Sequence, residues 1–302
     1  MSTTFHLTAH DNHKIFVRYW HVDEPKAVVQ IVHGMNEHSE RYHEFAYYLN
    51  QAGYCVYATD HRGHGNSALH ADRIGYIGEN GFEEMVNDEK VLFDYIQSTN
   101  LYLSHFILGH SMGSFITQRY IQLYGNELAG ALLIGSGSHR WDMQIGATIA
   151  NIYEKLTKDK RSKSLEKLVF NGYNSRFENR TGYEWLANDS VIVDEYIKDP
   201  YCAHVFPPSF FRQFLTFLNR IFQEDYISQV PVTLPLYILS GENDPVGQFG
   251  KGVERLYQQY KQIGCNDVNY KLYPGGRHEI LNDFDKLEVF QDIRIWLDCH
   301  IY

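Results

Sequence analysis

Short runs of β-branched and aliphatic residues recur along this chain, and most are followed by a stretch with helical periodicity. That alternation constrains the fold more than any other feature. Ala27–Val32 (AVVQIV) is nearly continuous in apolar character, as a strand covered on both faces must be. Further strands are expected at Tyr54–Ala58, Phe106–Leu108, Gly130–Ile134, Leu234–Leu239 and Val268–Tyr273. Helical patterns lie between them at Tyr42–Gln51, Phe82–Gln97, Met112–Leu123 and Gly250–Ile263, with a last one over Leu287–His300. Ahead of the series, Thr4–Thr8 and Lys14–Trp20 flank the turn-like His10-Asp11-Asn12-His13 and read as an antiparallel pair. The expected class is α/β, a mostly parallel central sheet flanked by helices, with its chemistry on the loops after the strands.

The alternation fails between residues 138 and 228. That segment carries helical patterns, many aromatics and a Lys/Arg-rich run from Lys155 to Lys167, with no convincing parallel strand. It reads as a helical cap inserted over the sheet's carboxyl edge. The core is then split into 1–137 and 229–302. The basic run reads more simply as a solvated face than as a phospholipid dock.

Composition narrows the classes of function. Among 302 residues, 37 acidic side chains against 27 basic ones leave a net charge of −10, so no electrostatic footprint for nucleic acid is present. No apolar run is long enough to span a bilayer. The first residues, MSTTFHLTAHDNHKIFV, have neither a basic nor an apolar leader region, so a cytoplasmic protein is expected. Cys55, Cys202, Cys265 and Cys299 are scattered and suggest neither a disulfide framework nor a zinc ribbon. His10-x-x-His13 and His61-x-x-His64 have metal-like spacing, but no carboxylate or thiol completes a site, and no metal or cofactor is expected.

Gly109-His110-Ser111-Met112-Gly113 is a G-x-S-x-G pentapeptide set between an expected strand and an expected helix. A sharp strand-to-helix turn needs small residues on both sides of the nucleophile and lifts its hydroxyl above the sheet edge, at a helix N-terminus. A bland alternative is a glycine-rich turn with a helix-capping serine. A serine hydroxyl needs a base, and the base needs an orienting carboxylate, here in the order Ser, acid, His. Asp244 follows the strand LPLYIL, and His278 follows the next strand beside Gly275 and Gly276. Glu242 is a rival acid, and His300, in the last helix, a weaker rival base. The backbone N–H groups of Met112 and of Met35, after His33-Gly34, are the candidate donors to an oxyanion. Asp60, Gly63, Gly65 and Ser67 read as a tight structural turn.

These residues resemble a known family, the α/β-hydrolases of the monoacylglycerol lipase and bacterial lysophospholipase group, which carry serine aminopeptidase S33-type domains. The likeness runs through HGMNEHSERY (33–42), DHRGHGNS (60–67), GHSMGS (109–114), SGENDPVG (240–247) and KLYPGGRHEILN (271–282), and the cap segment 181–202 also looks like bacterial lysophospholipases. The resemblance implies Ser111 as nucleophile, His278 as base, Asp244 rather than Glu242 as acid, and Met35 and Met112 as oxyanion donors. It gives Glu37 and Arg41 an organising role beside the oxyanion loop and the substrate. Met35-Asn36 departs from the small residues frequent there in relatives. The implied reaction is acyl transfer from a monoacyl lipid ester to water, with no cofactor.

Phe210, Phe211 and Phe214 belong to an aromatic stripe after Pro207-Pro208. They are expected either as the buried face of a cap helix or as the wall of an acyl tunnel, with peripheral membrane contact through the cap. An aminopeptidase or amidase on the same scaffold would need an acidic anchor, for which Glu178, Glu184, Asp189, Asp194 and Glu195 are candidates. A non-catalytic ligand receptor is the weakest alternative.

Overall fold

The computed structural model describes residues 2–68, 70–99 and 102–301. Eight strands form one sheet in the order β1-β2-β4-β3-β5-β6-β7-β8. They are β1 (Ser2–Thr8), β2 (Lys14–Trp20), β3 (Ala27–Val32), β4 (Tyr54–Thr59), β5 (Ser104–His110), β6 (Gly130–Ile134), β7 (Leu236–Gly241) and β8 (Val268–Tyr273). β1 pairs with β2, and β2 with β4, antiparallel; every other pairing is parallel. The helices between strands are α1 (His43–Gln51), α2 (Gly81–Thr99), α3 (Met112–Tyr124) and α9 (Lys251–Gln262), and α10 (Lys286–Cys299) closes the chain.

Both faces of the central strands are covered, which is why they lack polar alternation. Val29 and Ile31 of β3, Phe106 and Leu108 of β5, and Leu132 and Ile134 of β6 pack with α1 and α10. Their neighbours Ile107, Ala131 and Leu133 face the other way, onto α3 and α9. Each such side chain contributes roughly 2 kcal/mol by leaving water.

β1 begins earlier than the sequence reading, at Ser2, and β4 runs one residue further, to Thr59; two other strands differ where the site forms. β5 extends through His110, because Gly109 and His110 pair with Leu133 and Ile134. β7 begins at Leu236 and runs to Gly241, opposite Tyr273. A side chain at Gly241 would strike the backbone of Gly276 and Arg277, so glycine there lets the β7 and β8 exits touch.

Between β6 and β7 the chain runs through α4 (Met143–Thr157), α5 (Lys163–Val169), α6 (Ser190–Lys198), α7 (Pro208–Ile221) and α8 (Glu224–Ile227). α4 lies against α7, where Gly146 leaves room for Leu215. Within this segment no strand occurs among the described residues.

Candidate active site

Ser111 occupies the turn between β5 and α3 with φ 53° and ψ −121°, a region that favours glycine. Such a backbone costs about 1–3 kcal/mol and persists only where its surroundings enforce it. Here the Ser111 N–H donates to the Ile134 carbonyl at 2.9 Å, and the Ser114 N–H and Oγ donate to the Ser111 carbonyl at 2.9 and 2.6 Å. The flanking glycines are required by close approach. A Cβ on Gly113 would run into the carbonyl oxygens of Val32 and His33, and one on Gly109 into Thr117 and the Gly113 backbone. As the first residue of α3, Met112 has an N–H with no intrahelical acceptor.

The β7 and β8 exits bring Asp244 and His278 together. His278 Nδ1 lies 2.9 Å from Asp244 Oδ2, with both side chains buried. Asp244 is held in turn by the Val246 N–H at 2.8 Å and the Ser240 hydroxyl at 3.2 Å. With the proton on Nδ1 donated to the carboxylate, Nε2 is left as the basic nitrogen. Glu242 is exposed, and His300 bonds instead to Asp267 and the Trp296 carbonyl. The His278 ring sits between Trp185, at 5.0 Å, and His110, at 4.9 Å. Gly135, at φ 57°, leaves space beneath it, since a Cβ there would stand 3.0 Å from His278 Cε1.

The loop after β3 folds onto Ser111: a Cβ on Gly34 would be 3.1 Å from Ser111 Cβ. Among the described residues, the N–H groups of Met35 and Met112 have no acceptor, and both residues line the cavity that Ser111 faces. Asn36, at φ 64°, exchanges two hydrogen bonds with the His204 backbone, tying this loop to the segment between β6 and β7.

Beneath lies a buried charged group. Glu37 accepts from the Gly34 N–H (2.6 Å), the Tyr42 hydroxyl (2.8 Å), Arg41 Nη1 (3.1 Å) and His110 Nδ1 (2.9 Å). Arg41 also forks onto Glu279 with two bonds of 2.7 Å. Burial pushes the Glu37 carboxyl up, but His110 and Arg41 outweigh it and hold the group well below the usual range. Burial likewise opposes charge on Glu279, and Arg41 reverses the sign. His110 and Glu279 escaped the sequence reading, although they stand directly beside Ser111 and His278 in the chain. Trp185 and Gly135 left no signal of this kind.

A cavity of about 1050 Å3 opens at Ser111 and His278. Phe115, Ile149, Leu165, Phe214, Leu215 and Leu218 wall one part; Arg140, Asp142, Glu166, Lys167, Asn171 and Asn174 border another. Of the aromatic candidates, only Phe214 reaches the cavity. Phe210 and Phe211 are buried elsewhere: Phe210 packs on Phe206, Phe82 and His64, and Phe211 on Phe170. Phe210 lies one turn before Phe214 on the same side of α7, its ring 6.4 Å from that of Phe214, but it is covered by Phe206 and His64 and does not reach the cavity. Glu37 borders the cavity, whereas Arg41 lies behind it in the ion-pair group.

Of the two histidine pairs with metal-like spacing, His61 and His64 both pack on the His33 ring. His10 pairs with Glu84, while burial pushes His61 down to about 3 and His64 down to about 4. His38, Asp199 and Cys202 bring ligand atoms within 4.8 Å of one another. His38 is already bonded to Asp199 at 2.9 Å, and burial pushes the Cys202 thiol well up, so the thiolate a metal would need is disfavoured. Asp60 accepts from the N–H groups of Ser39 and Asn66, and a Cβ on Gly65 would strike it, which accounts for that turn.

A family model described as "Serine aminopeptidase, S33" matches residues 23–285. The chain belongs to this family. Its members include α/β-hydrolases named as lipases. A monoacylglycerol lipase of Mycolicibacterium smegmatis is 27% identical over 294 residues, covering 95% of this chain and 94% of that protein. A monoglyceride lipase of Homo sapiens is 28% identical over 297 residues, covering 97% and 89%. Among solved structures, a thermostable carboxyl esterase from Bacillus coagulans in complex with glycerol superposes with a TM-score of 0.92 at 29% identity, covering 99% of this chain and 98% of that one. This S33-family protein has the α/β-hydrolase fold.

Proposed function

We propose that the protein hydrolyses the carboxylic ester of a monoacyl lipid, a monoacylglycerol or a lysophospholipid, through Ser111, His278 and Asp244. The observation that carries this reading is the His278–Asp244 pair opening, with Ser111, onto one cavity with an apolar wall. Ser111 Oγ attacks the ester carbonyl carbon while His278 Nε2 takes its proton. The carbonyl oxygen gains negative charge and accepts from the Met35 and Met112 N–H groups, each worth about 3 kcal/mol in the transition state. The C–O bond then breaks, His278 returns the proton to the leaving alkoxide, and an acyl-Ser111 ester remains. Water, deprotonated by His278, releases the fatty acid and restores Ser111. The acyl chain lies along Phe115, Ile149, Phe214 and Leu218.

The cap reading of residues 138–228 fits this role, since those residues supply most of the cavity wall. One face bears exposed Trp141 (80%), Ile145, Ile152 and Leu156 (79%). Ile145 also borders the cavity, so we assign this face to contact with a lipid surface. Co-sedimentation with phosphatidylcholine vesicles, lost in the Trp141→Ala, Leu156→Glu double variant, is the expected result. Equal sedimentation of the variant overturns the assignment.

The peptidase reading finds no support in the acidic candidates. Glu184 is occupied by Thr181 and Asn174, Asp189 caps α6, and Asp194 pairs with Arg180. Glu178, Glu184, Asp189, Asp194 and Glu195 are all absent from the cavity lining.

The test is a hydrolysis panel of short- and long-chain p-nitrophenyl esters, 1-monoacylglycerol, lysophosphatidylcholine and an aminoacyl anilide, each with Ser111→Ala alongside. Lipid-ester turnover that vanishes in the variant is expected. Turnover of the anilide alone, or none that depends on Ser111, overturns the proposal.

A further inference from the structure

His110, the last residue of β5, turns both ring nitrogens toward oxygen acceptors. Nδ1 lies 2.9 Å from Glu37 Oε1, and Nε2 lies 3.3 Å from the carbonyl oxygen of His278. A carbonyl oxygen can only accept. So can an ionised carboxylate, and Glu37 is ringed by donors from Gly34, Arg41 and Tyr42. A neutral imidazole carries one N–H and would aim its lone pair at one of the two acceptors. We infer that His110 is an imidazolium built into the fold, a positioning residue that joins the loop of the oxyanion donors to the loop of the general base. The positioning role rests on the hydrolase reading above; the charge on the ring does not.

The charges balance only if the ring is positive. Glu37, Glu279, Arg41 and His110 are then two anions and two cations, all nearly buried beside the cavity. The groups facing His110 come from three directions. The loop after β3 presents Glu37, with Arg41 and Tyr42 behind it; the loop after β8 presents His278 and Glu279; His33 and Cys202 lie beyond and are kept neutral by burial. Burial opposes a charge on His110, but the Glu37 hydrogen bond and the Glu37 and Glu279 charges raise its pKa above the ordinary value.

The geometry gives this charge a task. Glu37 Oε1, which accepts from His110, also accepts from the Gly34 N–H, one residue before Met35. The other His110 N–H holds the backbone of His278 itself. One ring therefore sets the spacing between an oxyanion donor and the base, and it lies 4.9 Å from the base's own ring. Without its charge, the group keeps an uncompensated anion beside His278. A nearby anion favours a protonated imidazole, so the acid limb of activity would move to higher pH.

Two measurements on the full chain test this. The first is two-dimensional 15N–1H spectroscopy of 15N-histidine-labelled protein, with His110 assigned from His110→Gln or, should that variant not fold, from ring-to-backbone correlations in the wild type. Both ring nitrogens of His110 are expected to be protonated at neutral pH, above the ordinary histidine pKa. One unprotonated nitrogen at neutral pH overturns the imidazolium, whatever the enzyme's activity. The second uses an ester that the wild type hydrolyses. His110→Gln is expected to lower kcat at least about tenfold, to change KM by less than about threefold, and to move the acid limb of kcat/KM upward. The double variant His110→Gln, Glu37→Gln, which restores neutrality, is expected to recover much of kcat and the original acid limb. Losses that simply add in the double variant, with an unmoved acid limb, mark a space-filling role and overturn the inference. Absence of Ser111-dependent turnover in the wild type overturns the hydrolase reading and the positioning role with it, while the ring spectra still decide the charge.

Discussion

The ring of Trp185 lies 5.0 Å from that of His278, and the Trp185 carbonyl accepts the His278 N–H at 3.3 Å. This contact belongs to a longer seam. The Glu279 N–H donates to the Leu186 carbonyl at 2.7 Å, and Asp283 accepts from the N–H groups of Asn188 and Asp189. Arg277 Nη1 donates to the carbonyls of Glu184 and Ala187 at 2.5 and 2.9 Å. The segment between β6 and β7 is thus stitched to the loop that carries His278. Replacing Arg277 by Ala should cost about 2 kcal/mol, less than two fully buried charged hydrogen bonds because the side chain is part-exposed. It should also lower kcat more than it raises KM. Urea unfolding and steady-state kinetics on the same variant check both.

Ser111 stores backbone strain that glycine would not. Ser111→Gly should be more stable than Ser111→Ala by about 1 kcal/mol, the gain from relieving φ 53° exceeding glycine's larger unfolded-state entropy. Both should lack turnover. Denaturant midpoints of the two inactive variants decide it, and equal midpoints would show that the turn is unstrained.

Phe210 and Phe214 stand one helical turn apart on α7 and share Phe82 as a neighbour, but only Phe214 borders the cavity. Phe214→Ala should enlarge the cavity and shift the preferred acyl chain length, with a modest loss of stability. Phe210→Ala should cost about 3–5 kcal/mol by leaving a core void, with chain-length preference unchanged. A series of p-nitrophenyl esters and a thermal melt for each variant separate the two roles.

Glu89 is buried beneath the sheet edge, accepting from Thr59 Oγ1 and Gln30 Nε2 at 2.5 Å each. Burial pushes its carboxyl up to about 7, against those hydrogen bonds. The folded state therefore holds a proton that the unfolded state has already lost above about pH 4.5. Stability should fall as pH rises from there to about 7 and then level off, a change of about 3 kcal/mol from this one group. Glu89→Gln, which cannot ionise, should lose less stability than the wild type between pH 5 and 8, read from unfolding curves at both values.

Much of the fold is legible in the chain because strands covered on both faces must be largely apolar, and β6 is so throughout, β3 apart from Gln30 and β4 apart from Thr59. The strand ends were less legible. β5 reaches His110 and β7 reaches Gly241 because neighbouring strands pair with them, a constraint that no local pattern carries. The stripe on α7 shows the same limit. Helical spacing groups Phe210, Phe211 and Phe214, yet only packing against α4, α2 and α3 decides which of them meets a cavity.

The sequence by itself determined the α/β class, the elbow at Ser111 and the order in which Ser111, Asp244 and His278 leave their strands. These follow from local propensity, turn chemistry and hydrophobic period, which act over a few residues. Only the tertiary structure decided that Arg41 lies behind the cavity and that His110 and Glu279 complete an ion group with Glu37. The physical reason is range. Hydrogen bonds and charges in the interior act between groups that the chain separates by 34 to 238 positions, and only folding brings those groups within reach of one another.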